Sequence, residues 1–311
     1  MTDQRRQARL GLIQISLAGV LWGTGGLGVQ VIREHAEMSV LTISAWRMLS
    51  AGVVLLVAVL LLRQGASVLT LARTRPVRAA VVGAGTASYQ ALYFGSVVAT
   101  GVTVATVVSL GLAPVLLTVA ESVRHRRRPS TSRLLVLAAA LGGLLLVSAT
   151  SGSGSTGPHP LLGVLLALGS GTAYAVATEL GRPLVEVAGP LALTTTTTTV
   201  GAVVLLPFGL LATGGDDVLL SGDPVVLGTL AYLGVFTMAL AYGLFYVGLR
   251  ITTGSAAVIA TLLEPVTAAV VAVLFLDERL GALGLAGTLL ILGAVAGLGG
   301  EEEPAPVPPP A

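Results

Sequence analysis

The chain contains no cysteine. That excludes a disulfide framework and any thiolate metal centre. It contains no lysine either, and all 17 basic residues are arginine. A phosphate loop of the G-x-x-x-x-G-K-[ST] type therefore cannot be completed, and direct ATP coupling through one is excluded. Charge of either sign is scarce: 10% of residues are charged, against about 25% in a soluble domain. There are three histidines, His35, His125 and His159, and all lie in breaks between apolar runs. An intramembrane metalloprotease needs histidine ligands, and an intramembrane serine protease with a histidine base needs one too. An enzyme of either kind is not expected, nor is a metal site or a cofactor. Aromatic residues make up only 4% of the chain.

What the chain has instead is apolar surface. Hydrophobic residues make up 54% and the mean hydropathy is +0.92. Water cannot hold that much apolar surface, so lipid is the expected solvent. Crossing a bilayer takes about 20 apolar residues. Ten runs meet that need, over 10–32, 38–62, 79–98, 102–123, 133–150, 161–180, 189–211, 225–248, 253–275 and 282–299. The first run is too long for a cleaved signal peptide and is expected to remain as a helix. The tail 300–311, "GEEEPAPVPPPA", has no apolar periodicity and is expected to be disordered. Arginine-rich composition with heavy alanine and glycine usage fits a GC-rich bacterial genome.

Arginine placement orients the runs. With the N-terminus inside, the inner loops receive Arg5, Arg6 and Arg9, then Arg63, Arg73, Arg75 and Arg78, then Arg124, Arg126, Arg127, Arg128 and Arg133, then Arg182 and Arg250. The outer loops receive Arg33 and Arg279 only, and Arg47 lies inside a run. That asymmetry predicts a multi-pass inner-membrane protein with both termini cytoplasmic. It also accounts for the basic loops without nucleic acid.

The chain repeats itself. Residues 101–143 align without a gap on 252–294, at an offset of 151. Pro114 falls on Pro265, and Gly142 on Gly293; at an offset of 152, Trp22 falls on Tyr174. Two halves of five spans, 10–150 and 161–299, follow. Five is odd, so the halves must lie inverted. The equivalent loops "RHRRRPS" and "LDERLGA" differ in charge as opposite membrane faces require. The fold expected is an all-α membrane protein of ten transmembrane helices in two inverted five-helix repeats. Carriers of that build bind cargo near the midplane between the halves.

At this point the residues resemble a known family. "LWGTGG", "AWRML", "ALYFGS", "GLAPV" and "LEPVTA…LFLDERLG", with a glycine-rich last span, look like the EamA-like carriers of the drug/metabolite transporter superfamily. The resemblance covers about residues 10 to 299. It implies ten helices around a polar cavity and movement of small metabolites, often amino acids or drugs outward. Arg127-Arg128 stand where the family often keeps Glu-Arg in the first half.

The chemistry-bearing residues are the polar ones in apolar runs. Pro265 and Pro114 each remove a backbone donor and kink a helix, releasing the carbonyls of Thr261 and Leu110. They either flank the central site as hinges or only shape packing. Glu264 costs about 2.5–3.5 kcal/mol if charged at a helix centre. It is either a cavity carboxyl that takes an ammonium group or a proton, or a structural cap for the kink. Arg47 either meets a cargo carboxylate, pairs with Glu264 or Glu179, or bonds to backbone. Glu121 is expected in an interfacial ion pair, and Glu179 with Arg182 at i, i+3. Trp22, Gln90, Tyr93, Tyr174 and Tyr242 lie within runs and are candidates to line the pathway. Tyr89 shares a face with Tyr93, and Tyr246 is placed near the interface. The run Thr194–Thr199 is expected to bond back to its own carbonyls. Gly293 and Gly297 have the spacing of close helix packing.

The function expected is secondary transport by alternating access, with efflux of amino acids or related compounds as the first candidate. A multidrug or sugar/nucleotide-type carrier is the alternative, and a channel or membrane enzyme the more distant one. The partners are a small-molecule substrate and the bilayer, with protons one candidate for a coupling ion that is left open, as is the oligomeric state.

Overall fold

A computed structural model describes residues 2–151, 158–212, 218–275 and 281–301. The regular structure among the described residues is all helical, with no strand. The helices are α1 (Thr2–Gly23), α2 (Gly25–His35), α3 (Val40–Leu61), α4 (Gly65–Thr74), α5 (Pro76–Thr100), α6 (Val102–His125), α7 (Thr131–Ser151), α8 (Pro160–Ala188) and α9 (Pro190–Leu211). Then come α10 (Pro224–Tyr232), a π-helical segment (Leu233–Leu240), α11 (Ala241–Leu249), α12 (Gly254–Ala260), α13 (Leu263–Phe275) and α14 (Ala282–Glu301).

Local chemistry sets the boundaries. Pro76, Pro160, Pro190 and Pro224 open helices at the first position, where a missing N–H is no loss. Ser39 and Asp223 cap α3 and α10, accepting from the N–H groups of Thr42 at 3.1 Å and Val225 at 2.7 Å. Single glycines join α5 to α6 and α8 to α9: Gly101 at φ 94 and Gly189 at φ 80. A side chain at either would be strained.

Among the described residues, eight helical stretches are long and apolar enough to cross a membrane. The two other runs expected to span correspond to α5 and α14. α5 has 25 residues, but Tyr89, Gln90 and Tyr93 dilute its apolar character. The apolar part of α14 covers Ala282–Leu298. Large apolar side chains ring the outside: Leu60, Leu61, Leu161, Val98 and Leu211 are all more than 70% exposed. A soluble monomer does not tolerate such a surface. The chain is a multi-pass membrane protein.

Several expectations shift in detail. The first run, 10–32, is broken at Thr24 into α1 and α2. The loop between the second and third runs contains α4, whose Leu71 is buried. The break at 181–186 is helical, because α8 runs through to Ala188. α14 continues to Glu301, past the expected limit at 299; the rest of the tail, and Asp277-Glu278-Arg279, lie outside the described residues.

The helices pack across the two sequence halves. α5 lies on α8 and α9, α6 on α8, α3 on α9 and on the π segment, α1 on α11 and on α12–α13, and α7 on α14. The α7–α14 contact is closest at Gly143 and Gly287. A Cβ on Gly143 would stand 2.6 Å from the Gly287 carbonyl oxygen, and one on Gly287 2.7 Å from that of Gly143. Of the glycines expected to serve this packing, Gly297 faces Val136, whereas Gly293 has open space around it.

Thr194 to Thr197 bond back as expected, whereas Thr199 Oγ1 is buried without a partner among the described residues. Thr194, Thr195, Thr196 and Thr197 each donate to the carbonyl four residues earlier, at 2.8 to 2.9 Å. Backbone capture satisfies hydroxyls that lipid cannot.

Candidate functional site

The site begins where two helices are interrupted at the same depth. α1 stops at Gly23, and Thr24 turns its hydroxyl onto the Leu21 carbonyl at 2.7 Å. In the ninth run, α12 stops at Ala260 and α13 starts at Leu263. Pro265 supplies no N–H for the Thr261 carbonyl. That carbonyl is not left free: the Glu264 N–H donates to it at 2.9 Å. The proline thus splits its helix into two segments. Pro114, its sequence equivalent, is buried inside an uninterrupted α6.

The two interruptions pack on each other through Gly19 and Gly23, one turn apart on α1. A Cβ on Gly19 would stand 3.0 Å from the Thr261 carbonyl oxygen, and one on Gly23 2.5 Å from that of Glu264. Only a bare backbone allows this approach. The contact fixes where Glu264 enters the bundle.

Above it lies a cavity of about 390 Å³. Residues of both sequence halves line it: Trp22 from α1, Arg47 from α3, Tyr89, Gln90 and Tyr93 from α5, Thr106 from α6, Tyr174 from α8, Tyr242 from α11, and Glu264 and Pro265 from α13. Every residue singled out as a pathway candidate in the sequence lies on this wall; Pro114 does not. The cavity reaches Val29, Val40, Val97, Val102 and Ser148, at the helix ends on one side of the bundle.

Aromatic rings form much of the wall. Trp22 stands edge-on to Tyr242 at 4.9 Å between ring centres, and Tyr89 meets Tyr174 at 5.0 Å. Such pairs hold rings in defined orientations. Hydroxyls are tethered: Tyr93 to Thr106 at 2.9 Å, Tyr174 to Thr261 at 3.0 Å. Tyr246, expected near the interface, is instead buried at 2% exposure behind Tyr242.

Two charged residues share the cavity. Arg47 donates to Gln90 Oε1 at 3.0 Å and to the Met238 sulfur at 3.4 Å. Met238 belongs to the π segment, and a thioether is a weak acceptor. Arg47 Nε and Gln90 Nε2 are buried without partners among the described residues. Arg47 therefore pairs with neither Glu264 nor Glu179. Glu264 is the one carboxylate among the cavity-lining residues described.

The remaining acids behave differently. Glu121 forms an ion pair with Arg133, as an interfacial acid should. Glu179 pairs with Arg124 from another helix, not with Arg182.

Sequence reasoning did not find the α1 interruption, the π segment with Met238, or the role of Gly19 and Gly23. The last had a visible signal, a G-x-x-x-G spacing at 19–23. The π segment follows from no local motif in "LGVFTMAL".

A helical membrane bundle enclosing a mid-depth cavity with a sparse polar set is the build of a small-molecule transporter. The EamA-like transporter family model matches twice, over residues 9–149 and 161–300. The chain is 32% identical over 278 residues to the uncharacterized transporter YwfM of Bacillus subtilis, covering 89% of this chain and 90% of that one. It is 27% identical to the uncharacterized inner membrane transporter YicL of Salmonella typhimurium, covering 92% and 94%. A solved crystal structure, 18% identical, superposes with a TM-score of 0.76 over 92% of this chain and 95% of that one; it shares the fold alone. The chain belongs to the EamA-like transporter family.

Proposed function

We propose that the chain is a secondary carrier of ten transmembrane helices in two inverted halves, 10–150 and 161–299. It works by alternating access in the bacterial inner membrane, with both termini cytoplasmic. Packing supports the two-fold relation between the halves. Exchanging the halves turns α5-on-α8 into α1-on-α11, and α6-on-α8 into α1-on-α12 and α13, while α3-on-α9 and α7-on-α14 map onto themselves. The arginine asymmetry supports the orientation.

The observation that carries the transport reading is the wall of the central cavity. One carboxylate, Glu264, and one guanidinium, Arg47, face a space otherwise lined by rings, apolar side chains and the neutral polar groups of Gln90, Thr103, Thr106 and Ser148. Charged groups at that depth are retained for a task. Glu264 receives an ammonium group or a proton. Arg47, held by Gln90, receives a carboxylate. Trp22, Tyr93, Tyr174 and Tyr242 cover the apolar body of the cargo. A small amphipathic zwitterion such as an amino acid satisfies all three, and efflux driven by proton exchange at Glu264 is the first expectation. An organic cation is the second reading, because aromatic faces around one carboxylate also suit a cation without an acid group.

The test is a counterflow screen in proteoliposomes with and without a pH gradient. Saturable uptake with trans-stimulation by an amino acid supports the carrier. Non-saturable flux without trans-stimulation indicates a channel.

A further inference from the structure

The cavity reaches one end of the bundle, and the other end is tied shut by polar groups. Glu121, at the end of α6, accepts from the Ser255 N–H at 2.9 Å and from the Ser255 hydroxyl at 2.8 Å. Arg133, at the start of α7, pairs with Glu121 and also donates to Ser255 Oγ and, at 3.3 Å, to Thr253 Oγ1. Beside them Arg124 pairs with Glu179 of α8. Gly254 lies between the two carboxylates: a Cβ there would stand 3.6 Å from Glu179 Oε2 and 3.7 Å from Glu121 Oε1. Each acid thus links the first sequence half to the second. Glu121 is only 12% exposed, and Ser255 is fully buried. The bonds between Glu121 and Ser255 are shielded from water, where charge-assisted hydrogen bonds are strong; Arg124 is 56% exposed.

The internal repeat provides an independent observation. At the offset of 151, Glu121, Arg133 and Ser255 correspond to Ala272, Gly284 and Val104, and Arg124 corresponds to Phe275. At 152, Glu179 corresponds to Leu27. No member of the network has a polar counterpart at the cavity mouth. Among the described residues the device exists at one end only.

We propose that Glu121, Arg133 and Ser255, with Arg124 and Glu179 beside them, form a one-sided clasp. The clasp holds the inner end closed and the cavity open to the outside, and it must part for the inward-open state to form. A symmetric pair of halves would populate both openings alike; the clasp tilts that balance outward. These residues touch no cargo and set only which face is open. The inference rests on the alternating-access reading above.

The absence of cysteine makes the test direct. Ala268 lines the cavity, so Ala268→Cys supplies a lone thiol there. Its labelling by a membrane-impermeant maleimide is measured in right-side-out and inside-out vesicles. The intact clasp is expected to favour labelling from the outer face. Glu121→Ala and Ser255→Ala, which copy the mouth in removing polar groups, are expected to raise the inner-to-outer labelling ratio about ten-fold, the shift that accompanies loss of one strong hydrogen bond. The isosteric Glu121→Gln, with melting temperature measured alongside, is expected to raise it less, and serves if the alanine variants do not fold. An unchanged ratio in folded variants, with some inner labelling present throughout, overturns the clasp and leaves the carrier standing. Absence of inner labelling in every variant overturns both.

Discussion

A Cβ on Gly23 would stand 2.5 Å from the carbonyl oxygen of Glu264. The interrupted first span and the interrupted ninth span are therefore locked at the depth of the cavity carboxylate. Gly23→Ala must push the two apart, because the atom it meets is backbone and cannot rotate away. The expected result is a loss of about 1–3 kcal/mol, the usual consequence of overpacking, with a larger loss of transport than Gly26→Ala. Gly26 has nothing within 4 Å of its would-be Cβ and serves as the control. Thermal melting in detergent and counterflow measure the two effects.

Glu264→Gln keeps the shape of the side chain and removes its charge. If Glu264 exchanges a proton or binds an ammonium group, counterflow falls about ten-fold or more, as for a lost charge-assisted contact, and what remains no longer varies with pH. An unchanged rate and an unchanged pH profile would assign the carboxyl to packing around the Pro265 break.

Gln90 is the partner that holds Arg47 at 3.0 Å. Gln90→Leu leaves a buried guanidinium with only the Met238 sulfur, at a cost of about 1.5–3 kcal/mol for the lost bond to a charged group. Affinity for a cargo that carries a carboxylate should weaken, and affinity for its amide or decarboxylated analogue should not. Competition in the counterflow assay separates the two. Equal weakening would mean that Gln90 acts on the whole cavity rather than on the acid-binding end.

At Gly143 the consequence is structural. Its would-be Cβ lies 2.6 Å from the Gly287 carbonyl oxygen across the α7–α14 contact, and neither glycine lines the cavity. Gly143→Ala is expected to lower the melting temperature while sparing cargo affinity in the protein that remains folded. Gly142→Ala, facing open space, should change neither.

The sequence revealed the cavity wall more readily than the backbone that shapes it. Glu264, Arg47, Gln90 and the tyrosines stand out because a polar side chain in an apolar run must have a reason. Gly19 and Gly23 show a G-x-x-x-G spacing, but among 40 glycines that spacing does not say which backbone they receive. The π segment packs on α3 and offers Met238 to Arg47, and no local motif in its sequence marks it. Pro114 and Pro265 look equivalent in the alignment, yet one helix runs on and the other divides. The proline alone does not decide that, nor does a receiving glycine: Gly171 of α8, the equivalent of Gly19 at an offset of 152, lies as close to the Ser109 carbonyl of α6, whereas Gly23 corresponds to Ala175. The Glu179 partner was misassigned for a related reason. A local i, i+3 neighbour is visible in sequence, while Arg124, 55 positions away, comes near only through the packing of α6 on α8.

The inverted arrangement makes one demand that no packing rearrangement can evade. Arg126, exposed at the end of α6, and Arg279 occupy equivalent loops of the two halves, so inversion puts them on opposite faces of the bilayer. Single Arg126→Cys and Arg279→Cys variants, in a chain with no other thiol, should label with an impermeant maleimide from opposite sides. Arg126→Cys should react only in inside-out vesicles, because its loop holds the densest arginine cluster of the chain and the arginine bias places such a loop in the cytoplasm under the proposed orientation. Labelling of both from one side would mean an even number of spans between them. The halves would then be parallel, the cavity would lose its symmetric second opening, and alternating access between Glu264 and the two faces would need a different geometry.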